Sequence, residues 1–311
     1  MGDYMKEEFT YKSKDGITNI HAVIWKPNED IKAIVQISHG MIEHIGRYED
    51  FAFYLNKHGI LVCGNDHLGH GKSVIDNDHY GYFAKKNSDK IVVDDVYSLT
   101  EIIKDKYPNI PYILLGHSMG SFIVRNYITY YSHQIDKCII IGSNYQSQSF
   151  MRLAKLITAI TQFYHHGWFY VSPFIYKLTN GSYHKYFEEG RKNEDCWLAT
   201  NDEVIRNFRN DPQTKFKFTC NGYYTLFSLI KNACNKKLAK NIRKDLPLLI
   251  LSGKDDPVGN FGKDIYSIEK LYKNVGIDNI SIKLYNGMRH ELINETDNIL
   301  PITDIINFIK K

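Results

Sequence analysis

At residues 116–120 the chain reads Gly116-His117-Ser118-Met119-Gly120, one hydroxyl with the side chains stripped away two places to either side. That spacing suits a nucleophile. The hydroxyl stands clear of the backbone when a strand reverses sharply into a helix, and such a reversal leaves no room for Cβ atoms at the flanking positions. The flanks supply both elements. The apolar run Tyr112-Ile113-Leu114-Leu115 precedes the motif, and a helical pattern runs from Met119 to about residue 131. A serine hydroxyl is a poor nucleophile alone. It needs an imidazole base, and the base needs an orienting carboxylate.

In a strand–turn–helix setting of this kind the acid and then the histidine follow the serine, each just beyond a late strand. The run "PLLILSG" (247–253) leads into Asp255 and Asp256, and "NISIKLYN" (279–286) leads towards His290, the only histidine after residue 184. The Asp256-Pro257 step favours extended geometry and a turn, which prefers Asp256 over Asp255 as the acid. The developing oxyanion requires two backbone N–H donors, each worth about 3 kcal/mol of transition-state stabilisation. Met119, the residue after the serine, supplies one. Met41, in the loop "SHGMIEH" (38–44), supplies the other, with Gly40 allowing close approach of the backbone.

These residues must be carried by alternating elements. Strands are predicted at 21–25, 32–38, 59–66, 111–116, 136–143, 247–253 and 279–286, and helices at about 47–57, 89–106, 119–131, 261–274 and 298–310. The alternation predicts an α/β fold with a mostly parallel central sheet and helices on both faces. It breaks once, between 143 and 247, in an aromatic-rich stretch that reads as helical. There "FMRLAKLITAITQFYHH" (150–166) sets Phe150, Leu153, Ile157, Ile160 and Tyr164 on one helix face. The expected organisation is a hydrolase-type core at 1–143 and 241–311, with a helical insertion at 144–240.

The 311 residues are 43% apolar and 24% charged, an ordinary globular balance that sets aside disordered and coiled-coil classes. A net charge of +4 without basic runs gives no case for nucleic acid. The five cysteines, Cys63, Cys138, Cys196, Cys220 and Cys234, form no CxxC pair and suggest neither zinc nor disulfides. The N-terminal stretch is polar, no run of 18 apolar residues occurs, and a reducing cytoplasm is the expected location. The loop "DHLGHGKS" (66–73), with His67 and His70, reads as a tight glycine-containing loop bonding its own backbone rather than as a metal site, because H-x-x-H is not the helical i, i+4 spacing.

Two longer patterns carry a family likeness. H-G-x-x-E-H-x-x-R-Y is met by His39, Gly40, Glu43, His44, Arg47 and Tyr48, and D-H-x-G-H-G-x-S by Asp66, His67, Gly69, His70, Gly71 and Ser73. With "YILLGHSMGS", they make the chain resemble the α/β-hydrolase superfamily, and within it the monoacylglycerol lipase and lysophospholipase (serine aminopeptidase-like) family, over about 30–142 and 245–293. The resemblance implies a Ser118–Asp256–His290 triad, Met41 and Met119 as oxyanion donors, a helical cap that shapes an acyl pocket, and no metal or cofactor. It places Gly40, Glu43, His117 and Ile293 beside the substrate, with Glu43 also bracing Arg47. Ile293 departs from the better-known glycerol-ester members, which carry a polar residue three places after the histidine.

The implied activity is hydrolysis of small carboxylic esters with an acyl chain, through an acyl-enzyme on Ser118, with transient contact with lipid surfaces. The alternatives are an aminopeptidase or phenolic-ester esterase on the same triad, or a catalytically silent binding fold. An aminopeptidase needs acidic groups in the insertion for a free amine, and Glu188, Glu189, Glu194, Asp195, Asp202 and Glu203 are available.

Overall fold

A computed structural model of the protein describes residues 5–179, 181–191 and 193–311, with the side chain of Arg191 left aside. In chain order the strands are β1 (Met5–Lys12), β2 (Asn19–Lys26), β3 (Ala33–Ser38), β4 (Ile60–Asn65), β5 (Tyr112–His117), β6 (Lys137–Ile141), β7 (Leu248–Gly253) and β8 (Ile280–Tyr285). They form one sheet in the order β1-β2-β4-β3-β5-β6-β7-β8. The β1–β2 and β2–β4 pairs are antiparallel, and every pair from β4 through β8 is parallel.

The helices are α1 (Glu49–Asn56), α2 (Ser88–Lys106), α3 (Met119–Tyr131), α4 (Gln148–Tyr164), α5 (Pro173–Thr179), α6 (Asp202–Asn210), α7 (Cys220–Ala233), α8 (Lys236–Ala239), α9 (Lys263–Lys273) and α10 (Ile299–Lys310). The sheet is covered on both faces: β3 to β5 are buried at every position and mostly apolar, as parallel strands covered on two sides are. On β5, Tyr112 and Leu114 join the layer packed by α2, α3, α7 and α9. Ile113 and Leu115 join the layer under α1 and α10. This period-two split, repeated on β3, β4, β6 and β7, fixes the register, since a one-residue slip would exchange the two layers.

The sequence reading had no strand before residue 21, but β1 lies at the sheet edge with its first four residues exposed. Its residues carry no apolar run because only Phe9 and Tyr11 touch the core. On α4, the helix expected at 150–166, most of the apolar face turns outward. Leu153, Leu156, Ile160, Phe163 and Tyr164 are exposed, while Met151, Ala154 and Thr158 are buried. Ala154 and Thr158, with Met151, form the face of α4 turned to the protein, and most of the bulky apolar side chains remain outside. Between β6 and β7 the described residues are helical or irregular and contain no strand.

Candidate active site

Ser118 sits at the joint of β5 and α3 with φ 53° and ψ −119°, a left-handed conformation that costs a non-glycine residue of order 1–3 kcal/mol. Its backbone is held by the Ser118 N–H to Ile141 carbonyl bond at 3.0 Å. A Cβ on Gly120 would strike the carbonyl of Ser38, and one on Gly116 would strike the carbonyl of Gly120. Both glycines are therefore dictated by close backbone packing, and the turn they permit aims the hydroxyl outward. At α4 and α7 the N-cap hydroxyl of Ser147 or Thr219 accepts a backbone N–H; Ser118, the N-cap of α3, does not. Its hydroxyl is left for chemistry.

Asp256 follows β7 and is fully buried. One carboxylate oxygen accepts the Val258 N–H at 2.8 Å, and the other meets Nδ1 of His290 at 2.9 Å. Asp255 is exposed in the adjoining turn. With Nδ1 donating to Asp256, Nε2 of His290 is an acceptor; it is buried and has no hydrogen-bond partner among the described residues. Such bonds are often long in unliganded sites and tighten when substrate arrives. Ser118, His290, Met41 and Met119 line one cavity of about 820 Å³, within the range of small-molecule sites. Its further walls are largely apolar, from Met151, Leu178, Phe216, Leu226, Phe227 and Ile230.

The loop after β3 is under strain: Ile42, a β-branched residue, has φ 58°. The strain is held by Glu43, whose carboxylate accepts from the Gly40 N–H and, at 2.9 Å, from the Tyr48 hydroxyl. Arg47 donates to Glu43 at 2.6 Å and forms a two-pronged pair with Glu291 at 3.0 and 2.8 Å. Burial pushes the Glu43 carboxyl upward, but the His117 hydrogen bond and the Arg47 charge outweigh it and hold it well below the usual carboxylate range. His117 moves the other way: burial lowers it, and the Glu43 and Glu291 carboxylates more than offset this and raise it. His117 Nε2 donates to the His290 carbonyl at 3.2 Å.

Three of the four residues expected beside the substrate, Gly40, Glu43 and His117, line the cavity. The Glu43 carboxylate and both His117 nitrogens also bond protein groups and so hold the loops around Ser118. Ile293 does not line the cavity; it is buried in the cluster that holds Ile302, Ile305 and Ile306 of α10, because the short turn at 292–294 points it into the layer under α1 and α10.

Of the histidine loop, His70 Nδ1 bonds its own Leu68 carbonyl at 2.9 Å, while His67 Nε2 meets the Ser38 hydroxyl at 3.0 Å. Burial drives His70 down to about 3, so it is neutral. Asp66 in that loop accepts from the Ile45 and Lys72 N–H groups, both within 2.9 Å, tying it to the oxyanion-side loop.

Sequence reasoning missed Trp197, Arg289, Glu291 and Glu295. The Trp197 ring lies 5.3 Å from that of His290. Trp197 carried no signal among the many aromatics of the insertion; the other three flank His290 closely enough that their charges next to a candidate base were the available clue.

Residues 29–297 match the profile of the family described as serine aminopeptidase, S33 (Hydrolase_4). The chain is 30% identical over 292 residues to a monoglyceride lipase homolog of Monkeypox virus, covering 90% of this chain and 89% of that protein. It is 25% identical over 306 residues to a monoacylglycerol lipase of Mycolicibacterium smegmatis, covering 98% and 97%. A solved thermostable carboxyl esterase from Bacillus coagulans, in complex with glycerol, superposes with a TM-score of 0.90 at 25% identity and 98% coverage of both chains.

Proposed function

The chain belongs to the serine aminopeptidase S33 family of α/β-hydrolases and is a serine ester hydrolase; from that premise we propose that it cleaves single-chain acyl esters, with monoacylglycerols and lysophospholipids as the leading substrates. Ser118 attacks the ester carbonyl. Nε2 of His290 takes the hydroxyl proton and later delivers it to the leaving alcohol. Asp256 holds the imidazole tautomer and stabilises its cation. The Met41 and Met119 amides bind the oxyanion, and water then releases the acid from the acyl-enzyme. The observation that carries this reading is the buried Asp256–His290 pair, whose free nitrogen shares a cavity with a serine on a strained turn.

Residues 144–240 act as a cap whose apolar inner side receives the acyl chain. The outward side chains of α4, with exposed Phe169, Phe174 and Leu178 nearby in the chain, favour transient contact with a lipid surface. No helix among the described residues is long and apolar enough to cross a membrane. Five buried, unpaired thiols suit a reducing compartment such as the cytoplasm.

The aminopeptidase alternative is not favoured. Of the acidic groups it would use, Asp195 is paired with Arg209 at 2.6 Å and Glu189 with Arg289 at 3.3 Å. Purified protein assayed against monoacylglycerols, lysophospholipids and aminoacyl anilides tests the proposal. Ester turnover lost in Ser118→Ala is the expected result; anilide turnover without ester turnover refutes it.

A further inference from the structure

Resting on that reading, we propose that Arg289 and Glu295 are positioning residues that clamp the loop of the catalytic histidine to the inserted segment, so that residues 196–200 and 289–295 move as one body. The clamp has two jaws. In the first, the Arg289 guanidinium donates to the Cys196 carbonyl at 2.6 Å, approaches the Ala199 carbonyl at 3.5 Å and the Glu189 carboxylate at 3.3 Å, and lies 4.1 Å over the Phe187 ring. In the second, the buried Glu295 carboxylate accepts from the Arg289 N–H at 2.7 Å, from the Thr200 N–H at 2.8 Å and from the Thr200 hydroxyl.

Between the jaws, the Glu291 N–H donates to the Leu198 carbonyl at 2.8 Å. Trp197, in the middle of the strap, faces the imidazole itself. The backbone groups on either side of His290 are thus satisfied from the inserted segment or by the carboxylate that also holds it. Lifting the strap away would strand the Glu291 amide and leave the Glu295 carboxylate with the Arg289 N–H alone, a costly state for buried polar groups.

The ring of His290 has one hydrogen-bond partner, Asp256, among the described residues. Its orientation is therefore set by Asp256, by the backbone of 289–291 and by the flanking rings of His117 and Trp197. Neither Arg289 nor Glu295 lines the cavity, so their contribution is to geometry and not to binding. Displacement of a catalytic group by about 1 Å can cost on the order of 100-fold in rate.

The test compares wild type with Arg289→Gln, Arg289→Lys and Glu295→Gln. The measurements are kcat and KM on a short p-nitrophenyl ester and the pH dependence of phosphonylation by a fluorophosphonate. The clamp predicts kcat lower by about 10- to 100-fold with KM little changed, and a displaced pH profile. Arg289→Lys should recover only part of the activity, because an ammonium lacks the planar fork and the stacking face. If Glu295→Gln does not fold, Thr200→Val removes one exposed donor to the same carboxylate and should show a smaller loss of the same kind. Folded variants with wild-type kcat and an unmoved pH profile overturn the clamp alone. A wild-type protein inert to the probe overturns the hydrolase reading and the clamp with it.

Discussion

Nε2 of His117 donates to the carbonyl oxygen of His290 across 3.2 Å, so the residue beside the candidate nucleophile supports the loop of the candidate base. The other nitrogen of His117 faces Glu43 at 3.4 Å, and Glu43 in turn holds the Gly40 amide. Three segments that sequence separates by more than 70 residues are thereby joined through a buried imidazole and a buried carboxylate.

That arrangement has a pH signature. The folded-state pKa of His117 is raised, so its contribution to stability is complete below 6.5 and is lost as pH rises through the elevated folded value. The Glu43 pKa is depressed, so its contribution is complete above 4.5 and is lost as pH falls through the depressed value. Calorimetric melting of wild type and His117→Gln across the neutral range should show a gap that narrows on the alkaline side. A gap that widens with pH would contradict the upward shift of His117.

Arg47 stands between two buried carboxylates, Glu43 and Glu291, with 12% of its side chain exposed. Arg47→Met would leave Glu291 without its cation and Glu43 with only His117 and its neutral donors, at a cost of about 3–5 kcal/mol. Urea unfolding should register the loss, and activity should fall with it because the Gly40–Met41 turn loses its brace.

The apolar face of α4 predicts a split between substrate forms. Leu156→Asp with Phe163→Asp should leave turnover of a dissolved p-nitrophenyl ester near wild type, since neither residue lines the cavity. Turnover of monoacylglycerol in vesicles should fall several-fold, and co-sedimentation with the vesicles should fall in parallel.

Asp256→Asn keeps the volume of the side chain but lets the imidazole adopt the wrong tautomer. The expected loss in kcat is about 10,000-fold with a melting temperature close to wild type. Asp255→Asn, at the exposed neighbouring position, should behave as wild type.

The core was legible in the sequence because it is built from short apolar strands, and a strand buried on both faces reads as an unbroken hydrophobic run. The Ser118 turn was legible because both its glycines are required by the packing of backbone on backbone. β1 was not, since an edge strand with one contacting side needs no such run. The outward turn of the α4 apolar face was not legible, because amphipathicity gives the helix an apolar face without saying whether protein or another surface covers it. The bonding of His117 was not legible because its partners, Glu43, Tyr48 and the His290 carbonyl, lie 69 to 173 residues away, and the burial of Ile293 was not because the turn at 292–294 decides which way it points.

The most direct measurement is reaction of the purified protein with a fluorophosphonate, with the adduct located by mass spectrometry. One adduct on Ser118, formed by wild type, much slower in His290→Ala and absent from Ser118→Ala, is the predicted result. An unmodified Ser118 in folded wild-type protein, or labelling that persists at another residue in Ser118→Ala, would contradict the account.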